Sequence, residues 1–124
     1  MKEIHIKCIP HDEQRYETLG DYWETESKIE FRISDTGNAN YNMAILMHEI
    51  WEEHRNRMLG IKEIDVTQFD INHPELDDPG LSKEAPYHAT HMESDAIERV
   101  CIVMSHEDWI DYEKRCSEMK WREK

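Results

Sequence analysis

Glycine, cysteine and cationic side chains are all scarce in this chain, and each shortage argues against a class of function. With 4 glycines in 124 residues and no G-x-x-x-x-G-K, G-x-G-x-x-G or G-x-S-x-G motif, neither a phosphate-cradling loop nor a nucleophile elbow is predicted. Cys8, Cys101 and Cys116 lack C-x-x-C spacing, which argues against a disulfide framework and a cysteine-based zinc knuckle. Cys8 and Cys101 lie in apolar runs and are predicted to be core thiols.

The small number of cations leaves the chain strongly acidic. It has 15 basic and 28 acidic residues, a formal charge of -13. Such a surface repels phosphate backbones, so we expect no nucleic-acid partner. The simplest interpretation of the charge is solubility, and the alternatives are attraction to basic partner proteins or mimicry of a nucleic acid.

Long apolar runs are missing as well. No stretch approaches the roughly 20 apolar residues of a membrane helix, so we expect no membrane association. The N-terminal residues alternate between apolar and polar, unlike a signal peptide, and we therefore expect a cytoplasmic protein. The length fits one domain, residues 1–124.

The N-terminal third shows the two-residue period of β-strands. Residues 2–9 and 28–34 alternate apolar and polar side chains, which predicts two strands. A turn between short extended pieces is predicted at Gly20 and Asp21. Together these patterns predict a small antiparallel sheet with one buried face.

The rest of the chain shows the period of α-helices. The pattern predicts helices at about residues 40–59, 87–104 and 106–121. Gly60 is expected to terminate the first helix and Ser105 to cap the third. Residues 61–70 are predicted to be a packed loop and residues 73–80 a turn-rich loop. The predicted fold class is α+β, with the small antiparallel sheet packed on two or three helices.

The first predicted helix carries an H-E-x-x-E motif, which begins at His48 and ends at Glu52. Residues four apart lie one above the other on a helix and can bind one ion. Projected at about 100° per residue, both side chains fall inside an apolar arc. A buried carboxylate needs a partner, which is either a metal ion or Arg55 on the same arc.

The motif follows the logic of zincin metallopeptidases. In that motif a glutamate next to the first ligand acts as general base, which assigns this role to Glu49. Glu52 occupies the place of the usual second histidine. An oxygen ligand suits zinc and also permits manganese or iron.

A second segment offers further ligands. His88 and His91 are predicted to complete the metal site begun by His48 and Glu52. Asp95 and Glu98 share their side of the helix, and Asp70 and His73 are further candidates. The alternative is a solvated polar face, because the apolar arc of this helix is on the opposite side.

Several segments resemble small, uncharacterised bacteriophage and prophage proteins over most of residues 1–104. They are QRYETLGDYW (14–23), MHEIWE (47–52), APYHATH (85–91) and IER (97–99). The resemblance implies a phage or prophage setting, with action in the host cytoplasm, and brings no established activity. The order of sheet and H-E helix is also similar to minimal zinc-peptidase domains, which implies a zincin-like core. Glu52 departs from that pattern and puts peptidase activity in doubt.

Three functions follow as expectations. The first is a metal-dependent hydrolase in which a metal-bound water attacks its substrate and Glu49 accepts the proton. The second is a non-enzymatic acidic accessory protein that binds and inhibits a host factor, any metal being structural. The third, a nucleotide pyrophosphohydrolase, would use Glu49 and Glu52 to hold magnesium.

Overall fold

Three strands and four α-helices make up an α+β fold in the computed structural model, which describes residues 2–121. The elements in chain order are β1 (Glu3–Ile9), β2 (Gly20–Glu24), β3 (Lys28–Ser34), α1 (Ala39–Met58), α2 (Glu63–Asn72), α3 (His88–Met104) and α4 (Trp109–Glu118). Two 3-10 turns, His11–Glu13 and Pro79–Leu81, lie in the connections. No helix among residues 2–121 combines the length and apolar character needed to cross a membrane.

The sheet is mixed, with β3 between the other two strands. The predictions of β1 and β3 are confirmed. The prediction of an antiparallel sheet is wrong in part, and so is the prediction of a turn at Gly20 and Asp21. These two residues begin β2, which pairs antiparallel with β3, while β1 pairs parallel with β3. The connection between β2 and β3 is tight, with Thr25 N donating to Lys28 O, so β2 pairs with one edge of β3. β1 occupies the other edge and runs parallel because β2 and its flanking loops provide a long return connection.

α1 covers the apolar face of β2 and β3. Asn38 caps it by accepting hydrogen bonds from the backbone of Asn40 and Tyr41, and Gly60 follows its end with a φ of 74°. The prediction of this helix is confirmed within one residue at each end. The main core joins sheet and helices through Ile33, Tyr41, Ala44, Ile45, Ile102 and Tyr112.

Residues 61–70 do not form a loop, and that prediction is wrong. They contribute most of α2, which begins without a side-chain cap and buries only Val66, while Ile64 and Ile71 are exposed. A single buried position leaves no apolar period for the sequence to display. Residues 73–78 form turns and bends, as predicted.

Two further local predictions are wrong: the cap of the last helix and the burial of Cys8. Asp108, rather than Ser105, caps α4 by accepting a hydrogen bond from Asp111 N at 2.9 Å. Ser105 instead ends α3 and donates to Cys101 O. Cys8 is exposed and Cys101 is half-buried, so Cys8 is not a core thiol.

α3 packs on α1 through polar residues, while much of its apolar side faces solvent. Thr90, His91 and Ser94 are buried, whereas Val100 and Val103 are 54% and 66% exposed. An amphipathic helix normally buries its apolar face. The reversal over most of α3 brings its ionisable side chains to the contact with α1, where the candidate site lies.

Candidate metal centre

Two histidines and a glutamate meet inside the contact between α1 and α3. Oε2 of Glu52 lies 3.2 Å from Nε2 of His48 and 3.1 Å from Nδ1 of His91. All three residues are buried: His48 is 6% exposed, Glu52 is 4% exposed and His91 is 7% exposed. His48 and Glu52 are one helical turn apart on α1, and α3 supplies His91 across the contact. The structure therefore brings together three of the four predicted ligands.

The spacing of these atoms fits a tetrahedral ion. Ligands that lie about 2.05 Å from zinc at tetrahedral angles are about 3.3 Å apart, close to the two measured distances of 3.2 Å and 3.1 Å. The three side chains offer ligand atoms within 4.8 Å of one another. Two imidazoles and one carboxylate form a zinc ligand set that leaves a fourth position for solvent or substrate.

The second nitrogen of each imidazole faces another carboxylate. Nδ1 of His48 is 2.7 Å from Oε1 of Glu98, whose other oxygen accepts a hydrogen bond from Tyr112 at 2.6 Å. Nε2 of His91 is 3.0 Å from Oδ1 of Asp78. Carboxylates in this position fix the tautomer of a metal-binding histidine and increase its basicity. The inner nitrogens, which face Glu52, are therefore the ones that could ligate an ion.

Asp95 lies between the two outer contacts. Its carboxylate oxygens are 3.3 Å from Nδ1 of His48 and 3.6 Å from Nε2 of His91. Two other groups of side chains are also close enough to hold an ion: His48 with Asp95 and Glu98, and His91 with Asp78 and Asp95. The 2.7 Å contact between His48 and Glu98 is typical of a charge-assisted hydrogen bond and shorter than the tetrahedral spacing, so the inner group fits better than the group with Glu98. The group with Asp78 is more exposed than the inner group.

A hydrogen-bonded chain holds the carboxylate of Glu52 from the sheet side. Tyr22 donates to Glu52 Oε1 at 3.4 Å, Asn56 donates to the Tyr22 oxygen at 2.8 Å, and Thr90 donates to Asn56 at 2.5 Å. Arg55, the competing partner of Glu52 in the sequence, donates to Glu93 instead. Glu52 therefore has no cationic partner other than the imidazoles among the ion pairs of residues 2–121.

The ionisation of these groups is strongly coupled when no ion is bound. Burial lowers the pKa of His48, but hydrogen bonds to Glu52 and Glu98 outweigh it and raise the pKa well above the ordinary value. Burial also lowers the pKa of His91, but hydrogen bonds to Asp78 and Glu52 outweigh this effect and raise the pKa to about 10. Burial raises the pKa of Glu52, but hydrogen bonds from both imidazoles hold it below the ordinary value. Protons thus occupy the inner nitrogens where an ion would bind.

Two glycines make room for site side chains. A Cβ atom at Gly20 would overlap the side chain of Glu49, and a Cβ atom at Gly80 would overlap the ring of His91. Gly20 begins β2 and Gly80 lies in the 3-10 turn before α3. Burial and the nearby Glu52 raise the pKa of Glu49 well above the ordinary value. The close approach at each glycine positions one side chain, Glu49 beside the ligands and His91 among them.

A cleft of about 1000 Å³ opens onto the centre and is lined by two of the three glutamates of α1, Glu49 and Glu52. On its far wall Asp70 accepts hydrogen bonds from the hydroxyls of Tyr16 and Tyr87. Burial raises the pKa of Asp70 to about 6. The predicted candidate Asp70 therefore lies on the cleft wall, held by tyrosines, rather than in one of the groups able to hold an ion.

His88, the fourth predicted ligand, has a different environment. Its Nδ1 is 3.0 Å from the carbonyl oxygen of Gly80, and it belongs to none of the groups that could hold an ion among residues 2–121. His73 contacts Phe69 through its ring and its Nδ1. Sequence reasoning missed Asp78, which lies in the acidic turn-rich loop, because no periodicity relates a loop residue to a helix face.

No protein-family model, curated protein or solved structure matches this chain. The function is therefore argued from the chemistry of the site.

Proposed function

We propose that the chain is a metal-dependent hydrolase that binds a divalent transition-metal ion, preferably zinc, through His48, Glu52 and His91. The observation that carries this proposal is the position of one buried carboxylate oxygen, 3.2 Å and 3.1 Å from two imidazole nitrogens. Carboxylates and imidazoles are almost never gathered away from water without a compensating charge. An ion with tetrahedral preference satisfies all three at once.

Glu49 supplies the second element of the proposed chemistry. A divalent ion at this centre polarises a carbonyl group and activates water. Glu49 follows His48 directly, and contact with Gly20 keeps its side chain at the cleft. The raised pKa of Glu49 belongs to the ion-free state. The positive charge of a bound ion would lower it, and the carboxylate would then accept the proton of the attacking water and later donate it to the leaving group. Glu98 and Asp78 orient the imidazoles.

The charge of the cleft favours carbonyl substrates over phosphate esters. Among the residues that line it, nine are Asp or Glu, against a single lysine, Lys120. A bound divalent ion offsets only part of this negative charge, so the cleft repels phosphoryl groups. We infer that the substrate is a neutral or cationic amide or ester. This inference, together with the use of Glu52 as a ligand, weighs against the pyrophosphohydrolase.

The phage or prophage setting, and action in a host cytoplasm, stay part of the proposal on the resemblance of the sequence segments. The zincin-like core is proposed on a different basis, the order of the sheet and the H-E helix, which is similar to minimal zinc-peptidase domains. The α1 motif and its partner histidine on α3 are compatible with it, although α2 and the mixed sheet were not part of the expectation.

The proposal is tested with tag-free protein by elemental analysis and by hydrolysis of chromogenic amides, esters and a phosphate diester. The wild type should carry one zinc per chain, and His48→Ala should lose it. Glu49→Gln should keep the zinc and lose about 100-fold or more in turnover, the scale of a general base. Glu53→Gln is the matched control, because Glu53 is buried on the same helix but pairs with Arg57.

Each outcome distinguishes the candidate functions. Normal hydrolysis by Glu49→Gln would refute the assigned mechanism. One zinc per chain without hydrolysis of any substrate would favour the acidic accessory protein with a structural metal. Wild-type protein that binds no metal after incubation with zinc would overturn the centre itself.

A further inference from the structure

β1 is an edge strand with one side unpaired. Within residues 2–121 its sheet partner is β3 alone. Glu3 N donates to Ser27 O, and Ile9 O accepts from Asp35 N, both on the β3 side. Since backbone groups alternate sides along a strand, those of Ile4, Ile6 and Cys8 point to the open edge. An open edge is a template for another strand.

The side chains of this edge are unusually apolar on one face. Ile4 is 59% exposed, Ile6 is 48% exposed, and Cys8 is also exposed. They continue the face formed by Ile29 and Phe31, because Ile4 pairs with Ile29 and Ile6 with Phe31 in the parallel register. α1 covers that face over β3 but leaves Ile4 and Ile6 exposed; it reaches β1 at Cys8, whose Sγ accepts from Asn42 Nδ2 at 3.5 Å. Natural edge strands usually carry charge or proline where they are exposed.

We propose that two copies of this chain associate through antiparallel pairing of their β1 strands, centred on His5. In this register Ile4 of one copy lies opposite Ile6 of the other, and each such pair exchanges two backbone hydrogen bonds through the open edges. The two three-stranded sheets become one continuous sheet. The proposal is independent of the metal centre, which lies on the helical side.

Charge complementarity selects this partner and this register. With His5 at the two-fold axis, Glu3 of each copy lies opposite Lys7 of the other. Lys7 makes no hydrogen bond or ion pair among the described residues, and its neighbour in the β3 register is Arg32. Arg32 already pairs with Glu30 at 2.7 Å, so the incoming Glu3, which lies 3.0 Å from His5 of its own chain, would compensate Lys7. A shift of two residues along the partner strand would place Lys7 opposite His5 and lose this pairing.

The local charge also explains why an acidic chain can approach its own copy here. The whole molecule has a charge of -13, so two copies repel each other over most of their surfaces. β1 and the preceding residue contain two lysines, Lys2 and Lys7, and one glutamate, Glu3, a formal charge of +1. A strand edge free of net negative charge is the least repelled approach for two identical acidic proteins.

The association is tested by sedimentation equilibrium of the full chain over a wide concentration range. Wild-type protein should show a reversible monomer–dimer equilibrium. Lys7→Glu and Glu3→Lys should each weaken it roughly tenfold, because symmetry turns two attractive cross-strand pairs into repulsive ones. The double variant with both exchanges should regain the wild-type dissociation constant. Lys114→Glu on α4 makes the same charge change away from β1 and should have no such effect.

A cysteine cross-link tests the register directly in a Cys8→Ser background. His5→Cys should form a disulfide dimer under mild oxidation, because Cα atoms in a non-hydrogen-bonded pair lie about 4.5 Å apart, within disulfide range. Lys7→Cys should not, since the two Lys7 positions lie about four residues apart along the paired strands. A monomer at all concentrations would overturn the proposal. A dimer insensitive to the exchanges would assign association to another surface. Cross-linking by Lys7→Cys in preference to His5→Cys would overturn the register centred on His5.

Discussion

Glu52 is the residue on which the proposed centre depends most. One of its oxygens contacts two imidazoles, and Tyr22 approaches the other oxygen. The sequence identified His48 and Glu52 because a four-residue spacing and an apolar arc can be read from one helix. Neither Asp78 nor the rotation of His88 toward Gly80 could be read from it, because both depend on how a loop meets α3.

The raised pKa values give the metal-free protein a specific pH dependence. His91 contributes stability that is fully present below its ordinary pKa of about 6.5 and is lost as pH rises through about 10. Glu52 acts in the opposite sense, and its contribution is lost only in acid, below its ordinary pKa. We expect the free energy of unfolding in chelator to fall by on the order of 3 kcal/mol between pH 6.5 and 10. Urea denaturation measures it.

The matched comparisons are His91→Gln and zinc-loaded protein. The substitution should reduce the alkaline fall, because glutamine does not titrate there, and should leave the part that the raised pKa of His48 contributes. Zinc should also remove it, since zinc binds the deprotonated imidazoles and binds more strongly as pH rises. An alkaline fall of equal size in His91→Gln would show that other groups cause it.

At the scale of secondary structure, prediction succeeded for elements whose apolar side chains lie on one face and whose polar side chains lie on the other. β1, β3, α1 and α3 were all located by that pattern, and the structure confirms them. β2 was missed because its five residues include Gly20 and Asp21, which are typical of turns. The parallel pairing of β1 was missed because strand direction depends on the connection rather than on the strand's own residues.

α3 shows how the candidate site contradicts the usual hydrophobic pattern. Its apolar arc predicts a buried side formed by residues such as Val100 and Val103, yet these are exposed and His91 is buried. Ile102 does enter the core, so the helix is anchored at its C-terminal end. A helix that places ionisable groups against its neighbour requires compensation there, and the proposed ion provides it.

The two glycine contacts predict separable losses of binding and activity. Gly80→Ala should displace the ring of His91 and weaken zinc binding at least about 10-fold, the scale seen when ligand support is lost. Gly20→Ala should displace Glu49, leave zinc stoichiometric, and lower turnover. Competition with a chromogenic chelator measures the affinity, and a crystal structure of each variant would show the displacement.

Two controls make this comparison specific. Gly60→Ala meets no atom within 4 Å, although its φ of 74° makes the substitution strained, so it measures the effect of general destabilisation. His88→Ala removes the side chain that contacts the Gly80 carbonyl without removing a proposed ligand. Gly80→Ala with wild-type zinc affinity would show that His91 is not a ligand.

For the whole molecule, negative charge is concentrated at the cleft and opposes folding. Asp70, Asp78 and Asp95 line the same space as Glu49 and Glu52. Burial raises the pKa of Asp95 as well as that of Asp70, so the folded state disfavours their charged forms. The composition revealed the acidic excess, but only the fold shows that part of it converges on two imidazoles. A divalent cation bound at the proposed centre would therefore stabilise the molecule beyond the bonds to its ligands.

Removal of that cation should consequently destabilise the entire domain. A ligand that binds only the folded state stabilises it by about 2.7 kcal/mol when its free concentration is 100 times the dissociation constant. For a domain of this size such a change corresponds to a shift in Tm of roughly 10 °C. We expect calorimetry to show this fall on chelation, with recovery on addition of zinc.

His48→Ala should match the metal-free Tm more closely than the zinc-bound one and should not respond to zinc. Sodium chloride, which screens exposed charge but does not ligate, should restore only part of the loss. If salt alone restores the full Tm, the effect of zinc is charge neutralisation and the buried centre is not its site.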